Sequence, residues 1–105
     1  MPRRSPRAPR FDASDHLLDA RPVAELDLHG HTREEAEPLV AGFLRNWAQR
    51  APGGVVHIIT GRGKGSANGA VLRPAVRTLL KRAGTLPIAD WTLDLAGGGY
   101  LIKLR

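Results

Sequence analysis

From Ala24 onwards, apolar and polar residues recur with periods that predict a regular succession of strands and helices. Residues 24–29 alternate with a period of two, which is typical of a strand with one buried face. Thr32 and Glu35 then form a capping-box pattern, and the apolar residues after them follow helical spacing. The β-branched run at residues 55–60 predicts a buried second strand.

The second half of the chain predicts another helix and a terminal hairpin. Apolar residues recur at helical spacing over 71–80, and Pro74 is tolerable in this helix if the helix starts near Ala70, since first-turn amides have no internal partner. Residues 90–95 and 100–104 alternate around the glycines at 97–99. The order β-α-β-α-β-β predicts an α/β two-layer sandwich with two helices and a mixed four-stranded sheet. Its first two strands should be parallel, because a strand-helix-strand unit forms a right-handed crossover.

The chain of 105 residues is long enough for one domain. Residues 1–22 are rich in arginine and proline, which predicts a basic, flexible tail, although Phe11, Leu17 and Leu18 could line a short helix over 12–20. The domain itself is predicted to span residues 23–105.

The composition removes several classes of function. There is no cysteine, so disulfide partners, thiolate zinc sites and cysteine nucleophiles are excluded, which suits a reducing compartment such as the cytoplasm. No apolar run reaches membrane-spanning length, and no secretory signal follows the basic start, so we expect no membrane partner.

The positive charge is unevenly distributed. The net charge is +6, and residues 60–82 contain six Arg or Lys residues and no acid. A basic face of this kind attracts polyanions. The alternative is a soluble protein whose basic face has no polyanionic partner.

Asp27 and His29 are the first candidate catalytic residues. Two positions apart on one strand, their side chains share a face, where a carboxylate could orient the imidazole or share a metal ion with it. Histidine can transfer a proton near neutral pH. The alternative is a histidine that merely ends the strand. His31 suggests a metal pair with His29, but Glu34 does not fit a zinc pattern and His57 is expected in the core or on a sheet face, so a dedicated zinc site is not favoured.

A glycine-rich turn follows the second strand. Ile58 stands where a Walker A loop needs glycine, and Ser66 stands where a dinucleotide fingerprint needs its third glycine. Exposed amides before a helix N-terminus still favour anions. A flexible connector is the alternative.

Both motifs follow parallel strands, so we expect them at one edge of the sheet. The predicted nucleic-acid contacts are His31, Thr60, Gly61, Arg62, Gly63, Lys64, Gly65, Ser66 and the cationic stripe Arg73, Arg77 and Lys81.

Two segments together resemble a known family. Leu26-Asp27-Leu28-His29-Gly30 followed by Thr60-Gly61-Arg62-Gly63 resembles the LDxH and TGxG signature of the Smr (small MutS-related) domain, in its stand-alone bacterial type. The resemblance covers residues 24–105. It implies a fold similar to the C-terminal domain of translation initiation factor three.

The resemblance also implies a function. Smr domains bind DNA or RNA, and several are nicking or RNA endonucleases, so Asp27 and His29 would be the catalytic or substrate-contacting pair and residues 61–63 would lie at the nucleic acid. RNA could be attacked by its own 2′-hydroxyl without a metal, whereas DNA would call for a divalent cation, magnesium or manganese. A non-catalytic binding module, or a domain for a small phosphorylated ligand or a protein, stays open. We expect a monomer.

Overall fold

The computed structural model describes residues 17–18, 20–61, 67–94 and 97–105. Most of the predicted tail, residues 1–16 and 19, therefore lies outside the described residues. Leu17 is 2% exposed and packs with Val55 and Leu101. These two strand residues alternate with core residues, so Leu17 covers the face of the sheet opposite the helices.

Four strands form one mixed sheet, as predicted. They are β1 (Ala24–Asp27), β2 (Val55–Ile59), β3 (Ile88–Leu93) and β4 (Gly99–Leu104), in the spatial order β1-β2-β4-β3. β1 and β2 are parallel, and β4 is antiparallel to both of its neighbours. The predicted α/β architecture with the element order β-α-β-α-β-β is confirmed.

Two helices, α1 (Arg33–Arg50) and α2 (Ala67–Lys81), pack on the other face of the sheet and enclose the main core. The capping box at the start of α1 is present: the Glu35 N–H donates to Thr32 Oγ1 at 3.1 Å, and the Thr32 N–H donates to Glu35 Oε1 at 2.9 Å. The fully buried side chains of the core come from both helices, from β2 and β4, and from the residue that follows β1; they include Leu28, Val40, Leu44, Val56, Ile58, Leu72 and Ile102.

Both helices continue through a proline, which the periodicity did not predict. Pro38 lies in the second turn of α1 and does not end it. α2 begins at Ala67, three residues before Ala70, so the condition under which Pro74 would lie near the helix start is not met and Pro74 is internal. Each proline removes one main-chain hydrogen bond, and burial of the apolar faces of α1 and α2 against the sheet offsets that loss.

The strand boundaries differ from the predicted ones by one or two residues. β1 ends at Asp27, so His29 lies in a turn and not on the strand, and β2 ends at Ile59. β3 begins at Ile88, two residues before the alternating pattern, with an irregularity in its pairing at residues 88–90. The turn after β1 uses Gly30 at φ +85°, a conformation that glycine adopts without strain.

Gly99 allows β4 to approach β2 closely. A Cβ atom at this position would overlap the carbonyl oxygen of Ile58. Because both groups belong to paired backbone in the centre of the sheet, neither can move aside without breaking the pairing.

We therefore expect Gly99→Ala to lower the free energy of unfolding by about 3 kcal/mol, the upper part of the range for forced overpacking. Gly42→Ala is the matched control. Gly42 is an exposed glycine inside α1 and nothing lies within 4 Å of its added Cβ, so the free energy of unfolding should rise by about 0.5–1 kcal/mol. Urea unfolding of both variants measures the difference. Equal stabilities would show that the sheet relaxes around the new methyl group.

Candidate functional site

The two candidate motifs meet at one edge of the sheet. Asp27, the last residue of β1, is the register partner of Ile59, the last residue of β2. The Leu28 N–H donates to the Ile59 carbonyl at 2.8 Å and extends the pairing beyond the strand. Thr60 and Gly61 therefore leave the sheet beside the Asp27–His29 turn. The rest of the predicted loop, residues 62–66 (Arg62, Gly63, Lys64, Gly65 and Ser66), lies outside the described residues.

Asp27 holds the main chain of His29. Its Oδ1 accepts the His29 N–H at 2.9 Å, so the carboxylate closes the turn after β1. Both residues are exposed. Among the described residues the His29 imidazole forms no hydrogen bond, and the expected contact between the Asp27 carboxylate and that ring is absent. Asp27 thus fixes where His29 stands, and the ring itself faces solvent.

His31 lies beside the start of α1. Its Nδ1 is 3.4 Å from Glu35 Oε1, the same oxygen that accepts the Thr32 N–H of the capping box. The Thr32 main-chain hydrogen bond, followed by the His31 contact, holds the pKa of Glu35 below its ordinary value of 4.5. The N-terminus of α1 therefore already carries a stabilised carboxylate.

Thr60 and Gly61 are fixed by a single carbonyl oxygen. Gly98 O accepts the Thr60 N–H at 2.8 Å, the Thr60 hydroxyl at 3.1 Å and the Gly61 N–H at 3.1 Å. The Thr60 side chain is fully buried. Thr60 and Gly61 therefore anchor the loop, and the Gly61 amide predicted to bind phosphate is already used within the fold.

A network on the face of the sheet opposite the helices fixes Gly98 in turn. Asp94 Oδ1 accepts the Gly98 N–H at 3.0 Å, while Asp94 Oδ2 is 2.8 Å from Nε2 of His57. The other His57 nitrogen, Nδ1, is 3.1 Å from Glu25 Oε2. His57 is thus a sheet-face residue between two carboxylates, and both of its nitrogens can donate only when the ring is protonated.

Sequence reasoning missed Glu25 and Asp94. The parallel register that makes Glu25 the partner of His57 could have indicated the first of these contacts. Asp94 reaches His57 only because of how β3 turns into β4, which the sequence pattern does not specify.

The predicted cationic stripe is only partly available at the surface. Arg73 is half-buried and its Nη1 donates to the Gly97 carbonyl at 3.3 Å, while its own carbonyl accepts the Tyr100 hydroxyl at 3.1 Å. Burial raises the pKa of Tyr100, and the charges of Arg77 and Arg73 partly offset this. Arg77 and Lys81 are exposed and are the members of the stripe that can meet a ligand.

The described residues contain no group of three His, Cys, Asp or Glu side chains placed to share a metal ion. None of the helices in the described ranges combines the length and hydrophobicity needed to cross a bilayer.

The lowered pKa of Glu35 gives a pH-dependent contribution to stability. A depressed carboxyl pKa stabilises the fold above the unfolded value of 4.5, and the contribution disappears as pH falls through the folded pKa. We expect wild type to be more stable than Glu35→Gln at pH 6 and the difference to shrink towards pH 3. Thermal unfolding across that range measures it, and a constant difference would assign the effect to packing alone.

The Asp94 carboxylate should stabilise the fold more than Glu25, its counterpart on the other side of His57. Asp94→Ala leaves two hydrogen-bond donors without partners, and we expect a loss of about 2–3 kcal/mol with faster hydrogen exchange at the Thr60 and Gly61 amides. Glu25→Ala, the control, removes an exposed partner of the same ring and should cost about 1 kcal/mol or less. Indistinguishable variants would contradict the role given to Asp94.

Comparison with known proteins places these observations in a family. The Smr domain model matches residues 26–91, more than half of the chain and including the β1 motif, the β2 motif and both helices. No match was found among curated proteins or solved structures. The Smr domain is known for nucleic-acid binding and nicking endonuclease activity. The chain therefore belongs to the Smr domain family.

Proposed function

We propose that this protein is a nucleic-acid endonuclease that cleaves a phosphodiester bond beside His29. The observation that supports the proposal most is the position of the exposed His29 ring, on a turn closed by Asp27 and beside the start of the glycine loop. A proton-transfer group next to a phosphate-binding loop is the minimum that such a reaction requires.

On RNA, His29 takes the proton of a 2′-hydroxyl. The O2′ atom then forms a bond to phosphorus, the bond from phosphorus to O5′ breaks, and O5′ receives a proton from water. Asp27 keeps the His29 main chain in place through Oδ1. The negative charge that develops on the phosphoryl oxygens would be met by the loop amides after Gly61 and by Arg62 and Lys64.

On DNA, water replaces the 2′-hydroxyl as nucleophile. A divalent cation, magnesium or manganese, would activate that water and neutralise the phosphate. Asp27 is a described carboxylate at this edge that could hold it, together with substrate oxygens, since magnesium is often bound by one or two carboxylates and phosphate.

Arg77 and Lys81 would bind the nucleic-acid backbone without reading sequence, with Arg73 as a half-buried support. We also place His31 near the substrate, because it precedes α1 at the same edge. The arginine-rich residues 1–22 would add salt-dependent affinity. We further propose that the protein is a monomer and that it is located in the cytoplasm, a reducing compartment that the absence of cysteine suits.

A non-catalytic nucleic-acid-binding module is the second candidate. One observation favours it: the Asp27 carboxylate contacts the His29 main chain and leaves the ring without an orienting partner among the described residues. A general base is usually held by a second group.

Cleavage of labelled RNA and DNA by wild type and His29→Ala distinguishes the two candidates. We expect His29→Ala to lower kcat by about 100–10,000-fold while the dissociation constant changes little, because proton transfer contributes a factor of this size. Glu34→Gln, an exposed first-turn residue of α1, is the control and should cleave like wild type.

Two further experiments identify the nucleophile and the need for a metal ion. A 2′-deoxy substitution at the cleaved nucleotide abolishes the RNA reaction if the 2′-hydroxyl attacks, and EDTA abolishes the DNA reaction if a cation is required. Binding without cleavage by both wild type and His29→Ala would establish the binding module instead.

A further inference from the structure

A basic groove lies at the end of the domain opposite the candidate site. α1 begins at the candidate-site edge, and Arg45 lies twelve residues beyond its start, about 18 Å away along the helix. Two adjoining cavities of about 460 and 260 Å³ open there, and both are lined by Arg45, Thr85 and Leu86. Arg105 lines the larger cavity and Arg82 the smaller one.

The groove gathers three guanidinium groups without an acid. Its lining contains no aspartate or glutamate. Within the described residues, neither Arg45 nor Arg82 forms an ion pair, and Arg105 is held by a hydrogen bond from its Nε to the Ile88 carbonyl at 3.0 Å. Like charges that line one groove repel one another, and an anion between them would offset this repulsion.

The groove fits phosphate groups of a chain better than a small apolar ligand. It is open and polar at its rim, where Gln49 and Thr85 add hydrogen-bonding groups. One guanidinium group can donate two parallel hydrogen bonds to a phosphate. A groove that continues from one cavity into the next could therefore hold successive phosphates of a chain. We propose that this groove binds the phosphate backbone of the same nucleic acid that the candidate site engages.

This inference rests on the proposed function and adds a minimum substrate length to it. α2 runs from the candidate-site edge towards the groove over 15 residues, about 22 Å. At 3.4 Å per nucleotide along one strand, that span corresponds to about six or seven nucleotides. A nucleic acid shorter than this reaches one site only.

The test compares two double variants on stem-loops of 5 and 15 base pairs, made in both DNA and RNA. Arg45→Gln/Arg82→Gln removes two groove charges. Arg50→Gln/Lys103→Gln removes the same charge from exposed residues at the same end that do not line the groove. Thermal unfolding checks that both variants fold.

We expect the groove variant to bind the 15-base-pair stem about tenfold more weakly than wild type, with a salt slope smaller by about two. Its affinity for the 5-base-pair stem should stay within about twofold of wild type, and the control variant should bind both stems like wild type. Equal losses in the two variants, an equal loss on the short stem, or no binding of either stem by wild type would overturn the proposal.

Inorganic phosphate identifies the source of the anion. If the Arg45 and Arg82 side-chain NMR signals respond to millimolar phosphate while the groove variant binds the long stem like wild type, the groove is a small-anion site and the proposal fails. Cleavage is scored separately. Loss of long-stem binding in a protein that does not cleave would support the groove and reject the endonuclease, whereas unchanged binding in a protein that cleaves would do the reverse.

Discussion

The parallel pairing of β1 with β2 is the constraint on which the candidate site depends. It places Asp27 opposite Ile59 and continues through the hydrogen bond from the Leu28 N–H to the Ile59 carbonyl. Two motifs about thirty residues apart in the sequence therefore leave the sheet side by side. A register shift of one residue would turn Leu28 out of the core and Asp27 into it, so hydrophobic burial fixes the position of the site.

The carbonyl of Gly98 is the second fixed point, because it accepts three hydrogen bonds from Thr60 and Gly61. Asp94 in turn holds Gly98, because its carboxylate accepts the Gly98 N–H. The start of the glycine loop, at Thr60 and Gly61, is therefore held in place by hydrogen bonds within the fold.

Much of the fold could be predicted from the sequence, because apolar residues recur with different periods in strands and in helices. The connection between two parallel strands is also right-handed, which fixes how β1, α1 and β2 are arranged. Boundaries were less predictable. α2 begins at Ala67 and continues through Pro74, although helix propensity alone argues against an internal proline. In the site, the sequence indicated Asp27 and His29 but not that the carboxylate binds main chain. The Asp94–His57 contact depends on the conformation of the β3–β4 turn, so no periodicity reveals it.

The two helix N-termini that follow the motifs differ in their capacity for phosphate. α1 starts with Glu34 and Glu35, and its capping box already occupies the Thr32 and Glu35 amides. A phosphate there would meet two carboxylates. The first turn of α2 contains no acid, and the loop before it contributes two cations. A helix N-terminus attracts anions only where its amides and charge are not already neutralised, so under the proposed function the phosphate would bind on the α2 side of the site. Asp27 and His29, on the α1 side, would then face the bond to be broken, and binding and proton transfer would come from different strand-to-helix connections.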